Sequence, residues 1–459
     1  MLHNLNLSSK QEKAAMAIDP PEDLVINILS RLPAKSLIRF RSVSKSWDSL
    51  IRNPGFISAH LSHQNSIRDK GGSYFLVKHR SYLTHTDVIS LLSSRTYNVV
   101  SSFEVPTEMG SKFVKIVGSC NGLLCVSHDS ISNFGSSIFL WNPAIRRFRV
   151  LPKCNIYNVN LAGEKVHGVA HGFGYYAVSN DYKLVRIVYL YCFDRPCFRA
   201  EIYSLRMDSW KEIDAVDCRI YESSCIAING GLHWVAHGGG VKGREVIMSF
   251  EMHDEVFRKI AVPDYNVVRN EICMKLTVFQ ESLCLIIYSY GRREKWFDLW
   301  VMIEQDAQVF WDKRQTTGPI FGVERPLHCG MHGEIFLEKG KGKLVLYDPG
   351  NKEIKDLSIH GILYTLDVHI HMESLVSINL SNDVDDDYLG RDFVTEGGLL
   401  VDELQTQYDN DCRLDNKDGI VSLADVSLFQ EPDCEEVVTV SPIQMARSKR
   451  KTTEEEGKT

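Results

Sequence analysis

The chain has 459 residues, of which 44% are apolar and 24% are charged, as in an ordinary globular protein. This composition excludes a collagen-like chain, a coiled coil or complete disorder as a description of the whole. The net charge of -7 is unevenly spread: residues 383–459 carry 20 acidic and 8 basic side chains, and the rest carries 39 acidic and 44 basic. A body this close to neutral argues against a dedicated nucleic-acid-binding protein, which needs a basic stripe to neutralise phosphates.

Targeting signals and cysteine usage indicate the compartment. Residues 1–13 lack the apolar segment of a secretion signal, and the longest apolar run, residues 283–288, is far too short to cross a bilayer. The 12 cysteines include no Cys-x-x-Cys pair, so we expect reduced thiols in a cytoplasmic or nuclear protein. We expect no membrane association and no direct contact with nucleic acid.

The first predicted elements are helices within residues 19–63, after a polar and unpatterned lead at residues 1–18 that we expect to be disordered. Asp19 can cap the first helix, Pro20 and Pro21 suit its first turn, and Pro33 ends it. Ser44 can cap a third helix. The apolar residues at helical spacing are Leu24, Val25, Ile28, Leu29 and Leu32, then Leu37, Phe40 and Val43, then Trp47, Leu50 and Ile51, and last Phe56, Ile57 and Leu61.

These helices carry more apolar side chains than they can bury from water among themselves. A three-helix bundle would use some of these side chains as its own core, but about 45 residues are marginal for an independent core. A partner protein with a groove for the remaining apolar side chains is the alternative that we favour.

Residues 19–25, 28–37, 39–47 and 50–51 closely resemble a plant F-box, almost without gaps. One departure is Pro20, where that family usually has leucine, and this change could weaken one edge of the partner contact. The resemblance implies binding to a Skp-type adaptor. The adaptor contacts would use Pro21, Leu24, Ile28, Leu29, Leu32, Pro33 and Leu37, with Val43, Trp47, Leu50 and Ile51 supporting or extending them.

A short polar linker at residues 64–72, with Gly71-Gly72 as a possible pivot, precedes a strand-rich region at residues 73–381. Within this region a hairpin recurs, in which an aromatic residue ends one strand and a bulky residue follows seven positions later. The pairs are Trp141/Phe148, Tyr203/Trp210, Phe250/Phe257 and Tyr347/Ile354, with a looser copy from Trp300 to Trp311.

Repeats of about 50 residues with four strands each are typical of propeller blades, and about six blades fit the region. The segment from Tyr74 to Val105 would supply the weakest of them. A pair of packed β-sandwiches is the alternative. Residues 117–125, 140–144, 147–152, 171–175 and 229–234 resemble the plant F-box-associated, kelch-like domain. The expected fold is therefore α+β and multidomain, with a helical F-box, an all-β propeller-like domain and an acidic, disordered tail at residues 382–459.

Three constellations invite a chemical interpretation. Gly118-Ser119-Cys120-Asn121-Gly122 imitates a nucleophile elbow, but a strand follows where an elbow needs a helix, so we expect a tight turn. His328, Cys329, His332, His369 and His371 could be metal ligands, yet strand histidines with satisfied hydrogen bonds are the favoured interpretation. Tryptophans 141, 210, 234, 300 and 311 are expected in the blade cores rather than on a ligand platform.

The acidic tail carries two weak motifs. Asn416, Asp418, Gly419, Val421, Ser422 and Asp425 match positions of a calcium loop, but Leu414 occupies the first ligand position, so calcium is disfavoured. The basic cluster Arg447, Lys449, Arg450 and Lys451 could be a nuclear localisation signal or a solvated charge run. We find no coherent catalytic set and expect no cofactor and no metal.

By resemblance, the chain is a non-catalytic substrate-recognition subunit of a Skp–cullin–F-box ubiquitin ligase. It would bind a Skp-type adaptor, and through it a cullin-RING complex, while the propeller holds an unknown target protein for ubiquitination and degradation. A non-degradative scaffold is the first alternative, and a propeller enzyme the second.

Overall fold

The computed structural model describes residues 21–66, 73–106, 114–128, 137–156, 165–192, 195–220, 225–238, 244–265, 272–289, 291–306 and 308–378. Within these residues four helices come first and twenty-five strands follow. The predicted lead, the acidic tail with its calcium-like and basic motifs, and the Gly71-Gly72 pivot all lie outside the described residues.

Four helices form the helical domain, residues 21–66. They are α1 (Glu22–Leu29), α2 (Ala34–Phe40), α3 (Lys45–Arg52) and α4 (Pro54–Ser66). Pro21 and Pro33 are the N-caps of α1 and α2, since neither needs to donate a backbone hydrogen bond there. The predicted cap at Ser44 is confirmed, because its hydroxyl accepts a hydrogen bond from the Trp47 amide at 3.2 Å. Helix α4 continues to Ser66, so residues 64–66 are helical rather than part of a linker.

Six antiparallel sheets follow, and each is one blade of a propeller. Blade 1 contains β1 (Tyr74–Arg80), β2 (Asp87–Ser93), β3 (Val99–Glu104) and β25 (Asp367–His371). Blade 2 contains β4 (Lys115–Cys120), β5 (Leu123–Ser127), β6 (Ile138–Asn142) and β7 (Arg147–Val150). Blade 3 contains β8 (Lys165–Tyr176), β9 (Asp181–Cys192), β10 (Arg195–Ser204) and β11 (Ser209–Ile213).

The remaining blades follow the same plan. Blade 4 contains β12 (Cys218–Ile220), β13 (Ile226–Ile228), β14 (Gly231–Gly238), β15 (Glu245–Glu251) and β16 (Val256–Ala261). Blade 5 contains β17 (Ile272–Phe279), β18 (Ser282–Ser289), β19 (Glu294–Gln305) and β20 (Gln308–Phe321). Blade 6 contains β21 (Val323–Cys329), β22 (Ile335–Lys339), β23 (Lys343–Asp348) and β24 (Glu353–His360).

Blade 1 is built from both ends of the propeller sequence. Its innermost strand, β25, pairs antiparallel with β1, so that Tyr74 lies opposite His371. The sequence predicts the sixth unit from residues 74–105 alone and misses this closing strand. The inner strands of neighbouring blades lie side by side around the whole ring, β25 against β4 included. The six-bladed prediction is therefore confirmed, and the sandwich alternative is wrong.

The predicted hairpin pairs form the outer half of four blades. Each pair lies directly opposite in register: Trp141 with Phe148, Tyr203 with Trp210, Phe250 with Phe257, and Tyr347 with Ile354. The rings of Phe250 and Phe257 are 4.8 Å apart, a distance at which aromatic side chains attract. The seven-residue spacing thus reports cross-strand contacts in the sheets.

The two ends of the propeller differ. Since strands alternate in direction, turns between the first and second and between the third and fourth strands of a blade lie at one end, here the helix end. The turn from Asn142 to Arg147 lies there and packs on the helical domain through Ala144 and Ile145. Turns between second and third strands and the connections between blades lie at the other end, here the distal end.

Buried carboxylates hold the distal connections. Glu201 accepts hydrogen bonds from the amides of Asn155, at 2.9 Å, and Ile156, at 3.2 Å, on the chain between blades 2 and 3. Its other oxygen lies 2.6 Å from Arg186, and both side chains are almost fully buried. Asp87 and Glu338 bind the amides of Val114 and Tyr364 in the same way. These bonds fix how consecutive blades are joined.

We expect Glu201→Ala to lower the free energy of unfolding by about 3–5 kcal/mol, because it leaves Arg186 as a buried charge without this carboxylate. The matched control is Glu212→Ala in the same blade, which removes the exposed pair with Arg199 and should cost less than about 1 kcal/mol. Urea denaturation of both variants measures the difference. Equal losses in the free energy of unfolding would show that burial of the Glu201–Arg186 pair does not determine its contribution to stability.

Candidate functional sites

The core of the helical domain uses three of the eleven residues predicted to contact an adaptor. Leu29, Leu37 and Ile51 are buried together with Ala34 and Phe56. Three others, Leu32, Trp47 and Leu50, are half-buried against this cluster. These six side chains therefore hold the domain together, and the buried three have no surface free for a partner.

The other five predicted contact residues lie on the surface. Leu24 is 51% exposed, Ile28 is 53% exposed and Val43 is 61% exposed, and Pro21 and Pro33 are exposed too. Leu24 and Ile28 are one turn apart on the same face of α1. We call these five exposed apolar residues the apolar helix face, since exposed apolar residues that lie together are typical of interaction surfaces.

The helical domain is joined to the propeller by the segment that follows β25, residues 372–378, here called the strap. Leu375 is buried in the same cluster as Leu29 and Leu37. Next to it, the Lys35 ammonium lies 3.2 Å from the Glu373 carboxylate. Sequence reasoning missed both strap residues, because a lone leucine and glutamate after the final strand carry no recognisable pattern.

Blade 2 holds the strap in place. The Asn142 amide donates hydrogen bonds to the carbonyls of Ser374, at 3.1 Å, and Val376, at 2.9 Å. The Ser374 hydroxyl in turn donates to the Asn121 carbonyl at 2.7 Å. Gly122, with φ +82°, leaves the room for this contact, since a Cβ there would lie 2.3 Å from the Ser374 hydroxyl. Asn142, which follows the hairpin residue Trp141, thus clamps the strap at the point where the turn to β7 begins.

A cavity of about 160 Å³ lies on the propeller axis, and inner strands of all six blades line it. Asn65 of α4 also reaches it, so the helical domain borders the channel. The structure brings together here three of the histidines that the sequence offers as possible metal ligands but that we expect to be satisfied by hydrogen bonds, His328, His369 and His371. Within the described residues, however, no three His, Cys, Asp or Glu side chains are arranged to hold a metal ion.

Protein groups already bind the channel histidines. His328 donates through Nδ1 to the Cys329 carbonyl at 2.7 Å, and His371 Nδ1 lies 3.0 Å from the Ser119 hydroxyl. His369 Nε2 lies 2.9 Å from the Asp367 carboxylate. Burial lowers the pKa of His328 and of His371 to about 4, so both are neutral at pH 7. Burial tends to raise the pKa of Asp367, but the nearby His369 and Lys275 outweigh it and lower that pKa.

The elbow-like motif is a hairpin. Ser119 and Cys120 end β4, Asn121 and Gly122 both have positive φ in the turn, and β5 begins at Leu123. This geometry confirms the predicted tight turn, because two positive-φ residues are typical of a two-residue hairpin loop. Of the five tryptophans expected in blade cores, 141, 210 and 234 are buried and 300 and 311 are half-buried.

Two further observations concern the cysteines and the possibility of membrane-spanning helices. Eight described cysteines are free thiols, and Cys197 is disulfide-bonded, which differs from the reduced state expected for every cysteine. In the described part of the chain, no helix has the length and apolar character needed to span a bilayer.

The channel histidines predict a pH-dependent stability. An unfolded-chain histidine binds a proton near pH 6.5, whereas His328 and His371 stay neutral down to about pH 4. The unfolded state therefore binds more protons between these values, and stability is lost as the pH falls from about 6.5 to 4, by up to about 1.4 kcal/mol per pH unit for each histidine. His371→Asn should flatten the dependence of Tm on pH, whereas His85→Asn, at an exposed turn position, should not. An unchanged slope in the first variant would contradict this assignment.

Comparisons with known proteins agree with this architecture. The F-box domain family matches residues 21–58, and the F-box associated beta propeller domain family matches residues 74–383. The Arabidopsis thaliana F-box protein At3g07870 is 26% identical over 409 residues, covering 77% of this chain and 91% of its own. F-box protein CPR1 of the same plant is 29% identical over 383 residues, covering 78% and 88%. F-box/kelch-repeat protein At3g23880, also from this plant, is 27% identical over 366 residues, covering 78% and 96%.

Three observations indicate the same family. They are the helices with an exposed apolar face, the six-bladed ring closed by its last strand, and the two family matches. The propeller match alone spans well over half of the chain. This chain belongs to the family of F-box proteins that carry an F-box associated β-propeller domain.

Proposed function

We propose that this protein is the target-recognition subunit of a Skp–cullin–F-box ubiquitin ligase. Its F-box binds a Skp-type adaptor, which links it to a cullin-RING complex, and its propeller binds a target protein that then receives ubiquitin. The observation that carries the proposal is the apolar helix face, an exposed surface on an F-box whose core is already complete without it.

The exposed and buried residues of the F-box take different parts in this function. Leu24, Ile28 and Val43 insert into the adaptor together with Pro21 and Pro33. Leu32, Trp47 and Leu50 border this surface, and Leu29, Leu37 and Ile51 support it from below. Binding follows the helix-in-groove mode, in which an amphipathic helix lays its apolar face on a partner.

The proposed role of the subunit is to position the target rather than to catalyse a reaction. A ligase of this type gains rate when the target stays close to the ubiquitin-bearing enzyme in a suitable orientation. The strap supports such a role, because it packs Leu375 into the F-box and is clamped by Asn142 of blade 2. On this proposal the protein itself performs no chemistry and works in the cytoplasm or the nucleus. Ubiquitin transfer to a captured target would separate this role from a scaffold that binds the adaptor without degradation.

Leu24→Ala with Ile28→Ala should weaken adaptor binding at least about tenfold, since each half-exposed side chain loses apolar area that the adaptor would cover. Isothermal titration of the purified chain with a Skp-type adaptor measures the affinity. The control is Val99→Ala with Val100→Ala on β3, where two valines are similarly exposed on the propeller. Wild-type affinity in the first variant would contradict the proposed surface, and so would an equal loss in both variants.

Leu375→Ala with Glu373→Ala should loosen the F-box from the propeller, because it removes a buried leucine and the partner of Lys35. Hydrogen exchange of the backbone amides in α1–α4 should become at least about tenfold faster, while β14 and β15, which lie outside the strap contacts, exchange as before. Unchanged exchange in the helices would show that the strap does not hold the two domains together.

A further inference from the structure

Two large aromatic side chains are exposed at the distal end of blade 5. Trp296 is 50% exposed and Phe321 is 64% exposed, whereas tryptophans 141, 210 and 234 are buried in blade cores. Half-exposed tryptophan and phenylalanine side chains are costly to leave in water, and clusters of them mark interaction surfaces.

The register of the sheet places these two side chains on the same face. Glu294 lies opposite Phe321, and the next pair, Lys295 with Ile320, is buried on the other face of the sheet. Trp296 therefore shares the face of Phe321 as its diagonal neighbour, a separation that aromatic rings can bridge. The Trp296 ring lies close over Gly318, where an added Cβ would be 3.2 Å from it. The absence of a side chain at Gly318 thus leaves room for the indole.

The surroundings of this pair are predominantly basic. Arg292 and Arg293 precede Glu294, and the Arg293 carbonyl accepts a hydrogen bond from Gly322 at 3.0 Å, next to Phe321. The Lys339 side chain reaches within 3.6 Å of the position a Cβ would take at Gly322, and Lys341 is exposed two residues further on. Residues 292–294, 322–324 and 339–341 thus carry four basic side chains and two acidic ones, Glu294 and Glu324.

We propose that Trp296 and Phe321 are a docking surface for an extended acidic segment of the target protein. An apolar side chain of that segment rests on the two rings, and its neighbouring carboxylates face Arg292, Arg293, Lys339 and Lys341. Charge complementarity selects the acidic segment over a basic or neutral one. The distal position leaves this surface free when an adaptor occupies the F-box. The inference rests on the proposed role as a target receptor and names the chemistry of the target.

The test is a selection of random 12-residue peptides displayed on phage, against the full chain, followed by fluorescence polarisation with the most enriched peptide. We expect enriched sequences in which an aromatic or leucine residue is flanked by Asp or Glu. Trp296→Ala with Phe321→Ala, and separately Arg292→Glu with Arg293→Glu, should each weaken binding by at least about tenfold. Since no adaptor is present, the result does not depend on whether the F-box binds one.

Matched controls lie on the same blade. Phe310→Ala removes an equally exposed aromatic at the helix end, and Arg314→Glu reverses an exposed charge in mid-strand, and both should change affinity less than twofold. Melting temperatures close to the wild-type value show that each variant is folded. Enrichment of basic or uncharged peptides, equal binding by the aromatic double variant, or no enrichment over bare support would each overturn the proposal. So would self-association of the chain that Trp296→Ala abolishes, because the surface would then bind a second copy.

Discussion

The pairing of β25 with β1 is the interaction on which the rest of the structure depends. Without β25, the inner side of β1 would lack a partner strand, so blade 1 and the ring are complete only when the last strand returns to the first sheet. Here that return also determines where the F-box lies, because the chain continues from β25 directly into the strap. The same continuous segment therefore closes the ring and positions the F-box on the propeller. A change that releases β25 from β1 would affect both.

The two ends of the propeller carry different structural elements. The helix end is occupied by the F-box, which packs on Ala144, Ile145 and Leu375. The distal end carries the connections between blades, and buried carboxylates such as Glu201 bind the amides of these connections. Loops fixed in this way form a preorganised surface, which reduces the entropy lost on binding. The channel between the two ends is lined by hydrogen-bonded histidines, and burial lowers the pKa of two of them, His328 and His371, so that both are neutral at pH 7.

Local contacts were predictable from the sequence, and long-range contacts were not. The helical spacing of Leu24 to Leu32 and the seven-residue hairpin spacing report interactions between residues a few positions apart. The closing strand, the strap and the Asn142 clamp join residues more than two hundred positions apart, for which one sequence carries no periodic signal. For the same reason the eleven predicted adaptor contacts could not be divided into core and surface: both kinds are apolar, and only tertiary packing separates them.

The order of synthesis gives this closure a consequence for the cell. Chains are made from the amino terminus, so the F-box helices emerge long before residues 367–378, which complete the ring and fix those helices in place. A product that stops short of β25 still contains every residue of the apolar helix face. On the proposed function, such a fragment would keep the residues that contact the adaptor but would lack both the closed ring and Leu375, which packs into the F-box core.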